Sequence, residues 1–432
     1  MVHSLHACLI RRTLLALAIV LPYSGARLRP AEHDALWQLY EATQGASWTN
    51  NDGWDRATDP CRKTRTRTIN YFDSHATEAR SGTRYNATPW FGVGCLDPCD
   101  DYLDGFHCTA GRVSSLLLGS NNLNGDIAGW LSVGQLRNLT HVELNNNALS
   151  GGLPTQIGLI RNLNVIRLEN NELSGDLPSE FASLNTDPRG EGELSEVSLA
   201  NNQLHGVLPA SFGPRLDTLR MLDASNNSIS GTLPEAYGQM PSLQVLHLHL
   251  NGLSGTLPAS LGIGGTAIRS LDLNSNPALS GTLPTSIGQM ESLQRLLLDS
   301  TALSGTLPTT LGMLTNLNIL KLNDNQLSGS LPTELGRFGA LEELDLYGNV
   351  FAGDVPSQIG RLTNLRLLFL PNEQLLPLRL RYCQQRMPNV GKYSYRIMRE
   401  EYQRMMTSIC PEPYDTLNAF GTLAQISGGD DV

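Results

Sequence analysis

Leu317-Asn318-Ile319-Leu320-Lys321-Leu322-Asn323-Asp324-Asn325-Gln326-Leu327-Ser328-Gly329-Ser330-Leu331-Pro332 is the stretch on which the reading of this chain turns. It has the form LxxLxLxxNxLxGxLP, and a half-turn follows with apolar residues at Leu335 and Phe338. The same pattern starts at Val113, Leu139, Leu163, Leu194, Leu219, Leu243, Ile268, Leu293, Leu317 and Leu341, with a partial eleventh copy at Leu365. Ten near-copies at a period of about 24 residues mark a repeat architecture. The composition agrees, because 74 of the 432 residues are Leu and 61 of those lie between positions 113 and 380. A chain of this length usually divides into two or three globular domains. Here it predicts one elongated core instead.

Each repeated position has a physical reason. The LxL alternation is a short strand of period two with both leucines turned inward. The Asn turns the chain off that strand, and its amide satisfies backbone groups that the turn would leave unpaired in the interior. Stacked copies place these side chains in a ladder: Asn121, Asn147, Asn171, Asn202, Asn227, Asn251, Asn276, Asn325 and Asn349. The Gly permits a conformation that a Cβ resists, and the Pro ends the pairing of a second short strand. No copy buries its own leucines, so copies must stack into a curved solenoid with a parallel sheet on its inner face. Ala224 at an inward Leu position, the extra Pro277 and Thr301 in place of a ladder Asn read as local weak points.

These residues resemble the plant-type leucine-rich repeat, LxxLxLxxNxLxGxIPxxLGxLxx, over residues 113–376. The preceding segment adds to the likeness. Ala35 to Thr43 reads as an amphipathic helix with Pro30 near its start and Gly45 at its end. Trp48, Trp54, Asp59-Pro60-Cys61, Trp90-Phe91-Gly92-Val93-Gly94-Cys95 and Gly111-Arg112-Val113 then follow in order. That order is similar to the N-terminal cap of plant receptor ectodomains, polygalacturonase-inhibiting proteins and exported repeat proteins of unicellular eukaryotes. The resemblance implies an α/β repeat fold, a horseshoe closed by disulfide-bonded caps at both ends, that binds a peptide, protein or glycan outside the cell. Departures are a basic insert, Arg62 to Thr88, and a second insert, Asn185 to Glu193, both read as surface loops.

The ends suit export. Residues 1–26 read as a signal peptide: Arg11 and Arg12, then an apolar run from Leu14 to Leu21, then Ser24-Gly25-Ala26. Residues 27–112 form the N-terminal cap and 377–432 the C-terminal cap and tail. Cys61, Cys95, Cys99 and Cys108 precede the repeats, and Cys383 and Cys410 follow them. An even number in an exported chain reads as disulfides. Cys383 pairs with Cys410. The first four allow three connectivities, of which Cys61–Cys95 with Cys99–Cys108 is favoured, and a zinc site from Cys95, Cys99 and Cys108 is the rival. The C-terminal segment is basic, looks helical from Tyr395 to Ser408, and is read as a cover for the last repeat. The formal charge of −10 disfavours a nucleic-acid partner. No later stretch is apolar enough to span a membrane, and no kinase signature is present.

The five x positions of LxxLxLxxN face the concave surface. Asp223, His247, His249, Asp272 and Asp299 cluster there, with Asp223 and Asp272 flanking His247. A divalent metal or a pH-sensitive patch is one reading; a hydrated polar face, with no metal, is the one adopted. A second cluster comprises Ile319, Asp345, Tyr347, Arg366, Leu367 and Phe369, with Glu342 and Glu343. An aromatic and apolar centre with a charged rim resembles a protein-binding hot spot, and ligand contact is expected here first. Sequons at Asn86, Asn138 and Asn226 permit glycosylation. Threonine recurs at Thr232, Thr256, Thr282 and Thr306, with Thr285, Thr309 and Thr333 nearby, an array of the kind ice-binding surfaces use. The expected function is an exported, non-enzymatic recognition module without a cofactor, receptor-like or inhibitory. A structural, adhesive or ice-binding matrix protein is the alternative.

Overall fold

The computed structural model describes residues 30–51, 93–96, 112–127, 136–184, 194–263 and 267–370. Twelve strands form one inner sheet. It opens with the antiparallel pair Val93–Leu96 and Arg112–Leu117, and every later strand, from His141–Glu143 to Leu367–Phe369, is parallel to its neighbours. Parallel order follows from the repeat, since each copy returns to the same edge travelling the same way. After the Asn turn, second short strands make a four-stranded sheet from Asn124–Asp126 to Gln203–His205 and a six-stranded sheet from Ser230–Thr232 to Val350–Phe351. A single bridge, Val207 to Ser230, links the two.

The leucines of the motif fill the space between these layers, and nearly all are fully buried. Half-turns such as Thr285–Gln289 and Thr333–Arg337 are 3-10 helices, each entered from a proline in extended conformation. The locked φ of proline suits that entry and forbids further pairing of the strand before it. Gly255 shows why glycine is required: its φ is +76°, and a Cβ would meet the Thr232 methyl at 2.8 Å. Aromatic rings stack along the half-turns, with Phe181 to Phe212 at 6.0 Å and Phe212 to Tyr237 at 6.3 Å.

The ladder is formed as the pattern requires. Asn276 Oδ1 accepts the Leu253 N–H (2.9 Å), and its Nδ2 donates to Leu248 O (3.1 Å) and Leu273 O (2.9 Å). Each Asn therefore ties two successive copies together. The inner sheet runs through the three positions read as weak points. Ala224 is fully buried. The Thr301 hydroxyl lies 3.0 Å from Leu298 O and 2.6 Å from Asn325 Oδ1, and the Leu279 N–H turns instead to Asn276 O at 3.0 Å.

The helix Pro30–Ala42 buries Ala35, Leu36 and Leu39 against the first copies. Its chain continues into the ladder: Asn50 N–H donates to Asn121 Oδ1 (2.6 Å), and Asn121 Nδ2 returns a bond to Asn50 O (2.9 Å). Asn50 thus supplies the partner that a preceding repeat would have given. The signal segment, both inserts, Asn86, Cys61, Cys99, Cys108, Cys383, Cys410 and the C-terminal cap lie outside the described residues, as does the side chain of Cys95.

Candidate functional site

Strand register decides which concave side chains meet. Asp223, His247 and Asp272 are successive partners across three strands, so the expected flanking of His247 is present. The contacts then divide into pairs. His247 Nδ1 lies 3.7 Å from Asp223 Oδ2, and its Nε2 is 2.9 Å from Ser270 Oγ. Asp272 turns to His249 instead, at 3.3 Å from Nδ1, close enough for an ion pair but bent out of hydrogen-bonding geometry. The two rings meet edge to face at 6.1 Å. Asp299 does not join either pair, and its Oδ1 is buried with no hydrogen-bond partner among the described residues. Among those residues, no three His, Cys, Asp or Glu side chains gather as a metal site.

Electrostatics separates these carboxylates. Burial opposes the ionisation of Asp223, but the neighbouring His247 and the hydrogen bonds from Ser225 outweigh it and hold the carboxyl below its ordinary range. Asp299 is pushed upward, chiefly by burial and with Asp272 adding to it, against an opposing backbone hydrogen bond and Lys321. Asp345 is pushed up to about 6, again chiefly by burial, against the opposing Tyr347 N–H and Lys321.

The second cluster is brought together in part. Glu343, Asp345, Leu367 and Phe369 share one strand pair, and Ile319 is the register partner of Glu343. Tyr347 is 42% exposed and Arg366 is exposed, with its Nη1 3.4 Å from Glu342 Oε2. Leu367 and Phe369 are half-buried. The side chain of Asn138 is half-buried and that of Asn226 exposed.

Three features had escaped the sequence reading. Arg167 is held by Glu196 at 2.7 Å and Glu143 at 3.7 Å, an ion-pair row across the first concave strands. A polar cleft of about 300 Å³ at the other edge is lined by Asn164, Ser195, Thr218, Arg220 and Ser242. The residue before each ladder Asn has positive φ, and Asn146, Asn170, Asn201 and Asn226 there form an outer amide chain with links of 2.7, 2.8 and 2.7 Å. The enrichment of Asn at positive φ is the one sequence signal that points to this amide chain.

Models of the leucine-rich repeat match residues 162–184, 192–253 and 316–338. With the ladder and the stacked parallel strands, they decide the family. It is a leucine-rich-repeat protein of the plant type. Among curated proteins, no sequence matches this leucine-rich-repeat chain. One similar structure is the plant peptide hormone receptor RGFR1 in complex with RGF2, with 34% identity and a TM-score of 0.55, over 59% of this chain and 39% of that one. Another is the Arabidopsis receptor kinase HAESA in complex with the peptide hormone IDA and the co-receptor SERK1, with 28% identity and a TM-score of 0.54, over 66% of this chain and 48% of that one. The leucine-rich-repeat chain thus spans less than half the length of either receptor. A plant ice-binding protein shares the fold at 24% identity and a TM-score of 0.58, over 81% and 97% of the two chains. No helix among the described residues is long and apolar enough to cross a membrane.

Proposed function

We propose that this leucine-rich-repeat protein is an extracellular recognition module that binds a peptide or protein on the C-terminal half of its concave face. The observation that carries this reading is the exposed Tyr347 two residues along from the Asp345–Phe369 pair on a rigid sheet, with Ile319 and Leu367 paired with Glu343 further along the same strands and Arg366 next to Leu367. Aromatic groups that are fixed by a scaffold lose little entropy on binding and dominate interface energetics. The two receptors above bind peptide hormones, which supports the same use of the same fold. A role as a receptor-like or inhibitory protein, and an extracellular glycan as ligand, belong to the same proposal at finer grain.

The test is capture of partners from extracellular proteins and glycans with the secreted full chain, followed by mutation. Tyr347→Ala with Phe369→Ala is expected to weaken the captured partner by tenfold or more, roughly the value of one hot spot, and Ser198→Ala to leave it unchanged. Unchanged affinity in the double variant removes the proposal. A second reading is favoured by Thr232, Thr256, Thr282 and Thr306, which are exposed at the same position of four successive copies, each methyl set over the glycine of the next copy. An ice-binding surface of that kind predicts thermal hysteresis that is lost when Thr256 and Thr282 are changed to Lys.

A further inference from the structure

The same half of the concave face holds carboxylates with no cation of their own. Leu297, Lys321 and Asp345 are successive register partners. Two residues further along, Asp299, Asn323 and Tyr347 form the next row, tied by Ser300 N–H to Asn323 O and Asp324 N–H to Tyr347 O. The cations nearby are committed elsewhere or distant in register. Lys321 Nζ sits 2.9 Å from Glu343 Oε1, and Arg366 faces Glu342. Asp345 accepts only the Tyr347 N–H at 3.1 Å among the described residues. Asp299 Oδ1 and Asn323 Oδ1 are buried and accept nothing there.

We infer that the ligand of this face is a basic peptide segment, which sets one cationic side chain beside Asp299 and a second beside Asp345 and lays an apolar side chain on Tyr347. The inference rests on the recognition reading above and names the chemistry of its ligand. The two carboxylates are two strands and two residues apart, about 12 Å at strand spacings near 4.8 Å and a rise near 3.3 Å. An extended peptide covers that distance in three or four residues. A cation placed there gains a partner that is partly stripped of water, where attraction is stronger than in bulk solvent. An acidic ligand meets the same carboxylates as repulsion.

Protonation opposes this binding. Asp345 is faced by Glu343 on its own strand, Lys321 and Asp324 from one neighbour, and Phe369 from the other. Asp299 is faced by Asp272, Lys321 and Asp324. Burial holds both carboxyls above their ordinary range, so a fall in pH from 7.5 to 5 neutralises Asp345 and removes its attraction for a cation.

The experiment uses the secreted full chain and labelled extended peptides with two Lys three or four residues apart around one Phe, with Gln and Glu counterparts. By fluorescence anisotropy at pH 7.5, the Lys peptide is expected to bind about tenfold tighter than the Gln peptide, as befits two partly desolvated charge pairs. That preference should shrink at pH 5 and be lost in Asp299→Asn with Asp345→Asn. Lys321→Gln removes a competing cation and should tighten the Lys peptide, which keeps the test alive if the double variant misfolds. Equal affinity for Lys and Gln peptides, a preference that survives the double variant, or tighter binding of an acidic oligosaccharide overturns the inference. If charge preference is absent while the Tyr347 and Phe369 double variant still loses its captured partner, the inference falls and the recognition reading stands.

Discussion

Asn276→Ala should be among the most damaging single changes in this chain. Asn276 is 0% exposed, and its amide serves three buried backbone groups, the Leu253 N–H, Leu248 O and Leu273 O at 2.9, 3.1 and 2.9 Å, and more weakly the part-buried Asn274 O at 3.3 Å. Alanine leaves the Leu253 N–H and Leu273 O without partners in the interior, whereas Leu248 O keeps the Asn251 amide at 3.1 Å. Each orphaned group costs about 1–3 kcal/mol when buried and unpaired, and a water entering the vacated space restores part of that. The expected loss is about 3 kcal/mol. In a solenoid the loss falls mainly on the copies that the ladder joins. Hydrogen exchange at the Leu253 amide should therefore accelerate by roughly a hundredfold, with urea unfolding shifted to match. Asn276→Asp is the sharper variant, because it keeps the shape and the acceptor but removes both donors and buries a charge. Gln326→Ala, at an exposed position of a neighbouring copy, should cost less than about 0.5 kcal/mol. If Asn276→Ala costs under about 1 kcal/mol, or Asn276→Asp matches the parent at neutral pH, the account of the ladder as a hydrogen-bond device is wrong.

Leu250 stands at φ +55° and is 49% exposed, where the other copies place Asn, Ser, Asp or Gly; Leu250→Asn should stabilise by about 0.5–1 kcal/mol in urea unfolding, since a branched side chain is strained there. Tyr237 buries a hydroxyl that finds no partner among the described residues; Tyr237→Phe should be neutral or gain up to about 1 kcal/mol, and a loss of more than that refutes the missing bond. Asp345 has a folded-state pKa of about 6, above its unfolded value. Between those two values the native state holds the extra proton, so this group favours folding at low pH and the benefit is lost as pH rises through 6. Asp345→Asn should thus stabilise at pH 7.5 by about 1 kcal/mol, discounted because the side chain is partly solvated, and have no effect below pH 4.

The repeat was legible because each of its positions does one job in every copy. Leu at the inward sites, Asn at the turn, Gly at positive φ and Pro before the half-turn recur at fixed spacing, and a period carries information that a single residue does not. The helix at Pro30–Ala42 was legible for the same reason, from apolar spacing between Pro30 and Gly45. What was missed shares a conformation rather than a residue type. The position before the ladder Asn is left-handed in most copies but is filled by Asn, Leu, Ser or Asp. A search for a repeated letter passes over it. Only the run of Asn146, Asn170, Asn201 and Asn226 closes into an amide chain.

The site was legible to the level of register and no further. In-register stacking places Asp223, His247 and Asp272 side by side, as period-two strands require. Which carboxylate each histidine takes depends on rotamers, and Asp272 takes His249 rather than its register partner. The Arg167 row was equally available to register counting, but charged pairs are common on polar sheets and carried no signature of chemistry. This difference in pairing bears on where a ligand should bind. Arg167 with its two glutamates, and His247 with Asp223 and Ser270, already hold partners, so a ligand there must break contacts to make its own. Asp299 and Asp345 hold no cation, and Tyr347 beside them is exposed. A ligand at that end adds interactions without first removing any. On these grounds binding energy should concentrate in the last four concave strands, and substitutions at His247 or Asp223 should change affinity far less than substitutions at Asp345 or Tyr347.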